Sequence, residues 1–149
     1  MVSHSSTPGY AGDLRPKEAW ELLKREPDAQ LVDVRTSPEW AFVGLPDLSS
    51  LNREVHKVEW QRYPSMQLNP DFVAEVGQAL ARVGAQGEGS LLFLCRSGAR
   101  SRAAAMTMSQ AGCARAYNVS EGFEGDLDAG QHRGTENGWK AAGLPWRQS

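Results

Sequence analysis

Seven consecutive residues, Cys95-Arg96-Ser97-Gly98-Ala99-Arg100-Ser101, bring together a thiol, two guanidinium groups, two hydroxyls and a glycine. A cysteine acts as a nucleophile only as thiolate, and a free thiol with a pKa of ~8.5 is mostly protonated at neutral pH. The neighbours are of the types that stabilise the anion. Gly98 permits a positive φ and a close approach of backbone to a ligand. A tight turn of this kind can aim successive N–H groups inward as an anion nest. Arg96 and Arg100 add fixed positive charge, either to favour the thiolate or to bind an anionic substrate. The competing interpretation makes Cys95 a small core residue beside solvated arginines, since buried, inert cysteines are common. A core cysteine seldom stands in a basic turn, so the chemical reading is preferred.

The elements around the turn suit that role. Residues 91–94, Leu-Leu-Phe-Leu, form a short uninterrupted apolar run, the pattern of a strand buried on both faces of a parallel sheet. From Arg102 the residues become helix formers, and Gly112 stands where a helix-ending glycine is expected. A helix start directly after the cysteine supplies unpaired N–H groups and about half a positive charge beside it.

Elsewhere the pattern predicts a helix over 16–25 opened by Pro16, with Ala19, Trp20, Leu22 and Leu23 on one face. Residues 31–34 read as a strand, apolar except for Asp33, whose buried carboxylate needs hydrogen-bond partners. Asp33 is expected to tie down loops beside the site rather than to catalyse. Arg35 is left open between facing substrate and facing a carboxylate. Ser37 is expected to cap a helix with Pro38 at its first position. Residues 55–60 read as a strand, 61–68 as loop, and 69–83 as a helix with Phe72, Val73, Val76, Leu80 and Val83 on its apolar side. His56 is expected to pack rather than to ligate. Residues 84–89 are a glycine-bearing loop, and 114–119 the last short strand. Trp139, Leu144 and Trp146 are expected to cover an apolar edge. Residues 123–137, rich in glycine and charge, make an unusually long connection, and such loops are functional or mobile. His132 and Arg133 in it are read as solvated, with an overhang of the site as the alternative. Cys113 is read as a packing residue.

Alternating strands and helices predict an α/β domain of three layers, with a central, mainly parallel sheet flanked by helices. The boundary is drawn after residue 12: a flexible N-terminal segment, 1–12, then one domain, 13–149.

Three motifs in order resemble the rhodanese family of single-domain sulfurtransferases. The loop from Cys95 to Ser101 is similar to its active-site loop. Leu31-Val32-Asp33-Val34-Arg35-Thr36-Ser37-Pro38-Glu39-Trp40 is similar to its N-terminal strand and turn, and Trp139-Lys140-Ala141-Ala142-Gly143-Leu144-Pro145 to its C-terminal signature. Asn118-Val119-Ser120-Glu121-Gly122-Phe123 resembles the glycine-rich turn after the last strand. Val43-Gly44-Leu45-Pro46-Asp47 departs from the pattern, keeping a glycine and losing a histidine. The resemblance implies a rhodanese-like fold and sulfur transfer through a persulfide on Cys95. It implies that Arg96, Ser97, Gly98, Ala99 and Arg100 cradle the sulfur, with Ser101 at the helix start and Asp33 and Arg35 in support. Thiosulfate or a persulfide would be the donor, a thiol, cyanide or protein group the acceptor, and no metal or organic cofactor is required. A cysteine phosphatase or arsenate reductase is the runner-up. Those loops hold five residues between cysteine and arginine, whereas Cys95 and Arg100 enclose four, a ring better matched to one sulfur than to phosphate. A persulfide-carrier module serving a protein partner is the third reading.

Composition is consistent with this. The chain has 149 residues, 40% hydrophobic and 23% charged, which suits one soluble core. A net charge of −2 provides no basic field for nucleic acid. No run reaches the ~18 apolar residues of a membrane span. The first residues have neither the basic region nor the apolar core of a signal peptide. Two cysteines separated by a helix of about a dozen residues, ~18 Å long, are too far apart to bridge. The expected location is therefore a reducing compartment, the cytoplasm.

Overall fold

The computed structural model describes residues 9–85 and 88–148. Residues 1–8 of the N-terminal segment and 86–87 of the loop before the central strand lie outside the described residues.

Five strands form one all-parallel sheet in the order β1-β8-β7-β2-β4: β1 (Gly12–Leu14), β2 (Gln30–Asp33), β4 (His56–Lys57), β7 (Leu91–Leu94) and β8 (Ala116–Val119). β7, at its centre, is buried along its whole length, which explains its unbroken apolar run. Alternation along it divides the core. Leu91, Phe93 and Cys95 pack on the face shared with Phe72, Val76, Ala104 and Met108, whereas Leu92 and Leu94 pack with Leu22, Leu23, Phe123 and Trp139. Helices α3 (Phe72–Arg82) and α4 (Ala99–Gln110) cover the first face, and α1 (Pro16–Arg25) with the C-terminal segment covers the second. This is the three-layer α/β arrangement expected, with the sheet parallel throughout.

α4 can lie close to the sheet because its buried positions are small: Ser101, Ala104 and Ala105, followed by Met108. It starts at Ala99, three residues earlier than the helix-forming run suggests, so Arg100 and Ser101 belong to its first turn. Gly98, at φ +114, is the left-handed residue that lets strand pass into helix.

Several further expectations are corrected. Residues 9–12 are anchored rather than flexible: Tyr10 is buried, Ala11 donates its N–H to the Ala116 carbonyl, and β1 begins at Gly12. The helix over 37–42, α2 (Ser37–Phe42), is capped by Thr36 and not by Ser37. The Thr36 N–H and hydroxyl both donate to Glu39 Oε1, at 3.2 and 3.0 Å. The strand read over 55–60 is only β4, and the 61–68 loop contains a small hairpin, β5 (Gln61–Arg62) with β6 (Gln67–Leu68). α3 begins at Phe72 rather than at Asn69. Val73 and Val83 are exposed, and Ala79 takes a buried place instead. Finally, 114–119 is not the last strand. β9 (Trp146–Arg147) pairs antiparallel with β3 (Leu45–Pro46).

Candidate functional site

Cys95 follows β7 directly and is buried. Its Sγ accepts a hydrogen bond from the Gly98 N–H at 3.1 Å and lies 3.2 Å from the Ser101 Oγ. One contact comes from the turn and the other from the first turn of α4, so the sulfur sits at a helix N-terminus. The carbonyls of the same loop point the other way. The Cys95 carbonyl accepts from the Phe123 N–H at 2.8 Å, and the Arg96 carbonyl accepts from Glu124 and Gly125 at 2.9 and 3.1 Å. Tying them to the 122–125 turn removes their partial negative charge from the sulfur. Gly122 is required there: at φ +67, a Cβ would lie 2.5 Å from both the carbonyl carbon and the oxygen of Arg96.

The two arginines separate. Arg96 is exposed. Arg100 is held by Glu39 through two hydrogen bonds, Nη1 to Oε1 at 2.8 Å and Nη2 to Oε2 at 2.9 Å, with both side chains 20% exposed. Burial alone would push the Glu39 carboxyl up. The hydrogen bonds and charge of Arg100, aided by Thr36, outweigh it and bring the pKa down to about 2. Burial likewise opposes the charge on Arg100, but Glu39 and the neighbouring Cys95 and Asp33 raise its pKa. Glu39 thus joins α2 to α4 across the loop. The sequence reading missed it, although Thr36-Ser37-Pro38-Glu39 carries the spacing of a capping box.

Asp33 and Arg35 stand together beneath the site, both completely buried. Arg35 Nε and Nη2 donate to the Asp33 carboxylate at 2.9 and 2.7 Å, and Nη2 also donates to the Gly44 carbonyl at 2.7 Å. The Phe123 ring covers the guanidinium at 4.4 Å. Arg35 therefore faces a carboxylate and not the solvent. The glycine kept within residues 43–47 has its explanation here. Gly44 supplies that carbonyl, and its Cα is so close to Trp146 and the Arg147 carbonyl that a Cβ would lie within 2.9 Å of both.

Behind the sulfur lies a polar chain that sequence reading also missed. Ser101 Oγ donates to Asn118 Oδ1 at 2.6 Å, Asn118 Nδ2 donates to Asp13 Oδ1 at 2.9 Å, and the Tyr10 hydroxyl donates to the same oxygen at 2.9 Å. Asp13 and Asn118 are register partners on neighbouring strands, a pairing that no local pattern discloses.

The remaining candidates fall outside this cluster. His56 is buried and bonds Gln30 Oε1 through Nε2 at 2.8 Å. Cys113 is buried beside a groove of about 410 Å³ between α3 and α4, and burial pushes its thiol pKa up, as befits a packing residue. In the long connection, Arg133 Nη1 donates back to the Gly125 carbonyl at 2.6 Å, while His132 faces solvent 4.0 Å from Asp128. Among the described residues, no helix is long and apolar enough to cross a membrane.

The model of the Rhodanese-like domain matches residues 15–129. The chain belongs to the rhodanese-like family. Among curated relatives of this rhodanese-like protein, the uncharacterized proteins RC0915 of Rickettsia conorii and RP600 of Rickettsia prowazekii are 37% and 35% identical over 130 residues, covering 87% of this chain and 92% of theirs. The crystal structure of Rv0390 from M. tuberculosis is 52% identical, with a TM-score of 0.83, covering 94% of this chain and 99% of that one. The polysulfide-sulfur transferase homodimer from Wolinella succinogenes shares the fold at 24% identity, with a TM-score of 0.54, covering 92% of this chain and 78% of that one.

Proposed function

We propose that this rhodanese-like domain is a sulfurtransferase with Cys95 as its nucleophile and sulfur carrier. The observation that carries the reading is the Cys95 sulfur itself, placed between the Gly98 N–H and the Ser101 hydroxyl at the start of α4. The Cys95 thiolate attacks the outer sulfur of thiosulfate. Its S–S bond breaks, sulfite departs with the electron pair, and the enzyme keeps a persulfide anion. A nucleophilic acceptor then attacks the terminal sulfur and releases Cys95 as thiolate, a ping-pong scheme with a covalent intermediate. The Gly98 N–H, a donor fixed at the anion, needs no reorganisation in either half-reaction. Arg96, exposed beside the loop, meets the incoming dianion, whereas Arg100, Ser97 and Ala99 shape the cradle. Cyanide or a thiol serves as acceptor in solution, and a protein group is an alternative one.

Family membership and the four-residue gap between Cys95 and Arg100 support this reading. It is also compatible with the fold shared with the polysulfide-sulfur transferase of Wolinella succinogenes. Thiosulfate treatment should add one sulfur, roughly 32 Da, to the intact mass, and cyanide or dithiothreitol should remove it. Cys95→Ser should abolish the addition, and Cys113→Ser should retain it. Sulfur loaded on Cys113, or Cys95-dependent hydrolysis of an aryl phosphate without sulfur loading, would overturn the assignment.

A further inference from the structure

The Ser101 hydroxyl has one proton and two neighbours able to accept it. Asn118 Oδ1 lies at 2.6 Å and Cys95 Sγ at 3.2 Å. Asn118 cannot turn its amide to relieve the competition. Its Nδ2 is engaged by Asp13 Oδ1 at 2.9 Å, and a flip would set Oδ1 against that carboxylate. We infer that Asp13 and Asn118 are positioning residues that aim the Ser101 proton away from Cys95 and thereby restrain the reactivity of its sulfur. With Cys95 as thiol, the chain is satisfied from end to end: S–H to Ser101, Ser101 to Asn118, Asn118 to Asp13. With Cys95 as thiolate, two acceptors share one proton. The inference rests on Cys95 being the sulfur carrier of the proposed reaction.

The chain has one reversal that leaves every member paired. An amide at position 13 can donate to Asn118 Oδ1, Asn118 Nδ2 then donates to Ser101, and Ser101 donates to the sulfur. Asp13→Asn permits this reversal, and because Tyr10 meets the same atom of residue 13 as Asn118 does, the second N–H of that amide can donate to the Tyr10 hydroxyl oxygen. Asp13 is exposed, at a cleft of about 360 Å³ that Gly98, Arg102, Asn118 and Glu121 help to line, so the change displaces no core contact. Other charges face this sulfur or this chain: Arg100 and its partner Glu39, the Asp33–Arg35 pair, and Tyr10 and Arg102 beside Asp13.

The test is alkylation of Cys95 by iodoacetamide across a pH series, in a Cys113→Ser background so that one thiol reports. A hydrogen bond restored to the sulfur anion predicts that Asp13→Asn reacts about tenfold faster than the parent at mildly acidic pH. Removing a negative charge would by itself accelerate the reaction through space, and Ser101→Ala separates the two causes. In that background Asp13→Asn should change the rate less than about twofold if it acts through the hydroxyl. Equal acceleration with and without Ser101, or none in either, overturns the inference. Asp13→Ala also frees Asn118 to turn and should act in the same direction, while Tyr10→Phe, which leaves the carboxylate in place, should not accelerate. Intact-mass sulfur loading is measured on the same proteins. Failure to load sulfur sinks the proposed function while the alkylation cycle still reads the steering.

Discussion

Replacing Glu39 by glutamine should cost the protein both stability and its pH response. The carboxyl moves from 4.5 to about 2 on folding, which corresponds to roughly 3 kcal/mol in favour of the charged form. Screening is incomplete because both partners are only 20% exposed, so the pair differs from an open surface ion pair of about 0–1 kcal/mol. Glutamine keeps the size and one bond to Arg100, leaving a predicted loss of roughly 2–3 kcal/mol at neutral pH, or about 5–10 °C in Tm for a domain of this length. The sign with pH is set by the lowered value. The stabilisation is complete above 4.5 and disappears as pH falls through about 2. Near pH 3 the wild type should already have lost about 2 kcal/mol of it, so the difference between wild type and Glu39→Gln must narrow. Thermal unfolding followed by circular dichroism at pH 7 and pH 3 makes the comparison. A gap below about 1 °C at pH 7, or an equal gap at both pH values, would refute the reasoning.

Two further changes probe the same loop. Gly122→Ala places a Cβ 2.5 Å from the Arg96 carbonyl at a positive φ; both effects should destabilise the fold by roughly 3 kcal/mol or more, seen as a lower urea midpoint and slower sulfur loading, and an unchanged midpoint would contradict the packing described. Arg96→Ala should raise the apparent KM for thiosulfate roughly ten- to a hundredfold with Tm unchanged, whereas a slower alkylation of Cys95 with unchanged KM would move Arg96 from substrate binding to thiolate stabilisation.

The parts of the site legible in sequence were those whose chemistry is local. Four apolar residues, a cysteine and a glycine-bearing basic turn announce a buried strand running into a helix, and the structure has that at Leu91–Leu94, Gly98 and α4. α1 was legible for the same reason, its apolar period and Pro16 agreeing on one boundary. β3, β4 and β9 are two residues each, too short for any alternation to register. β1 is Gly-Asp-Leu, a poor strand former that pairs because β8 offers an open edge. Val73 and Val83 show the converse failure. Their spacing fits the buried stripe of α3, yet tertiary packing leaves them exposed.

The residues that hold the loop were illegible singly, yet their convergence follows from the sheet order. β2, β7 and β8 are adjacent and parallel, so the segments leaving their carboxyl ends must meet at one edge. The segment after β2 brings Glu39 to Arg100; the one after β7 is the Cys95 loop; the one after β8 is the 122–125 turn that takes the loop's carbonyls. β1, added beside β8, sets Asp13 next to Asn118 and closes the set from behind. Glu39 and Arg100 are 61 residues apart, and Asp13 and Asn118 are 105 apart. Neither pair has a local signature, but each lies where two neighbouring parallel strands carry it. A reading that commits to strand order before assigning side-chain roles would therefore have directed attention to the segments after β2 and β8 as the support of Cys95. It would also have directed Arg35, left open between substrate and a carboxylate, to Asp33 at the same strand end, as the floor of that support.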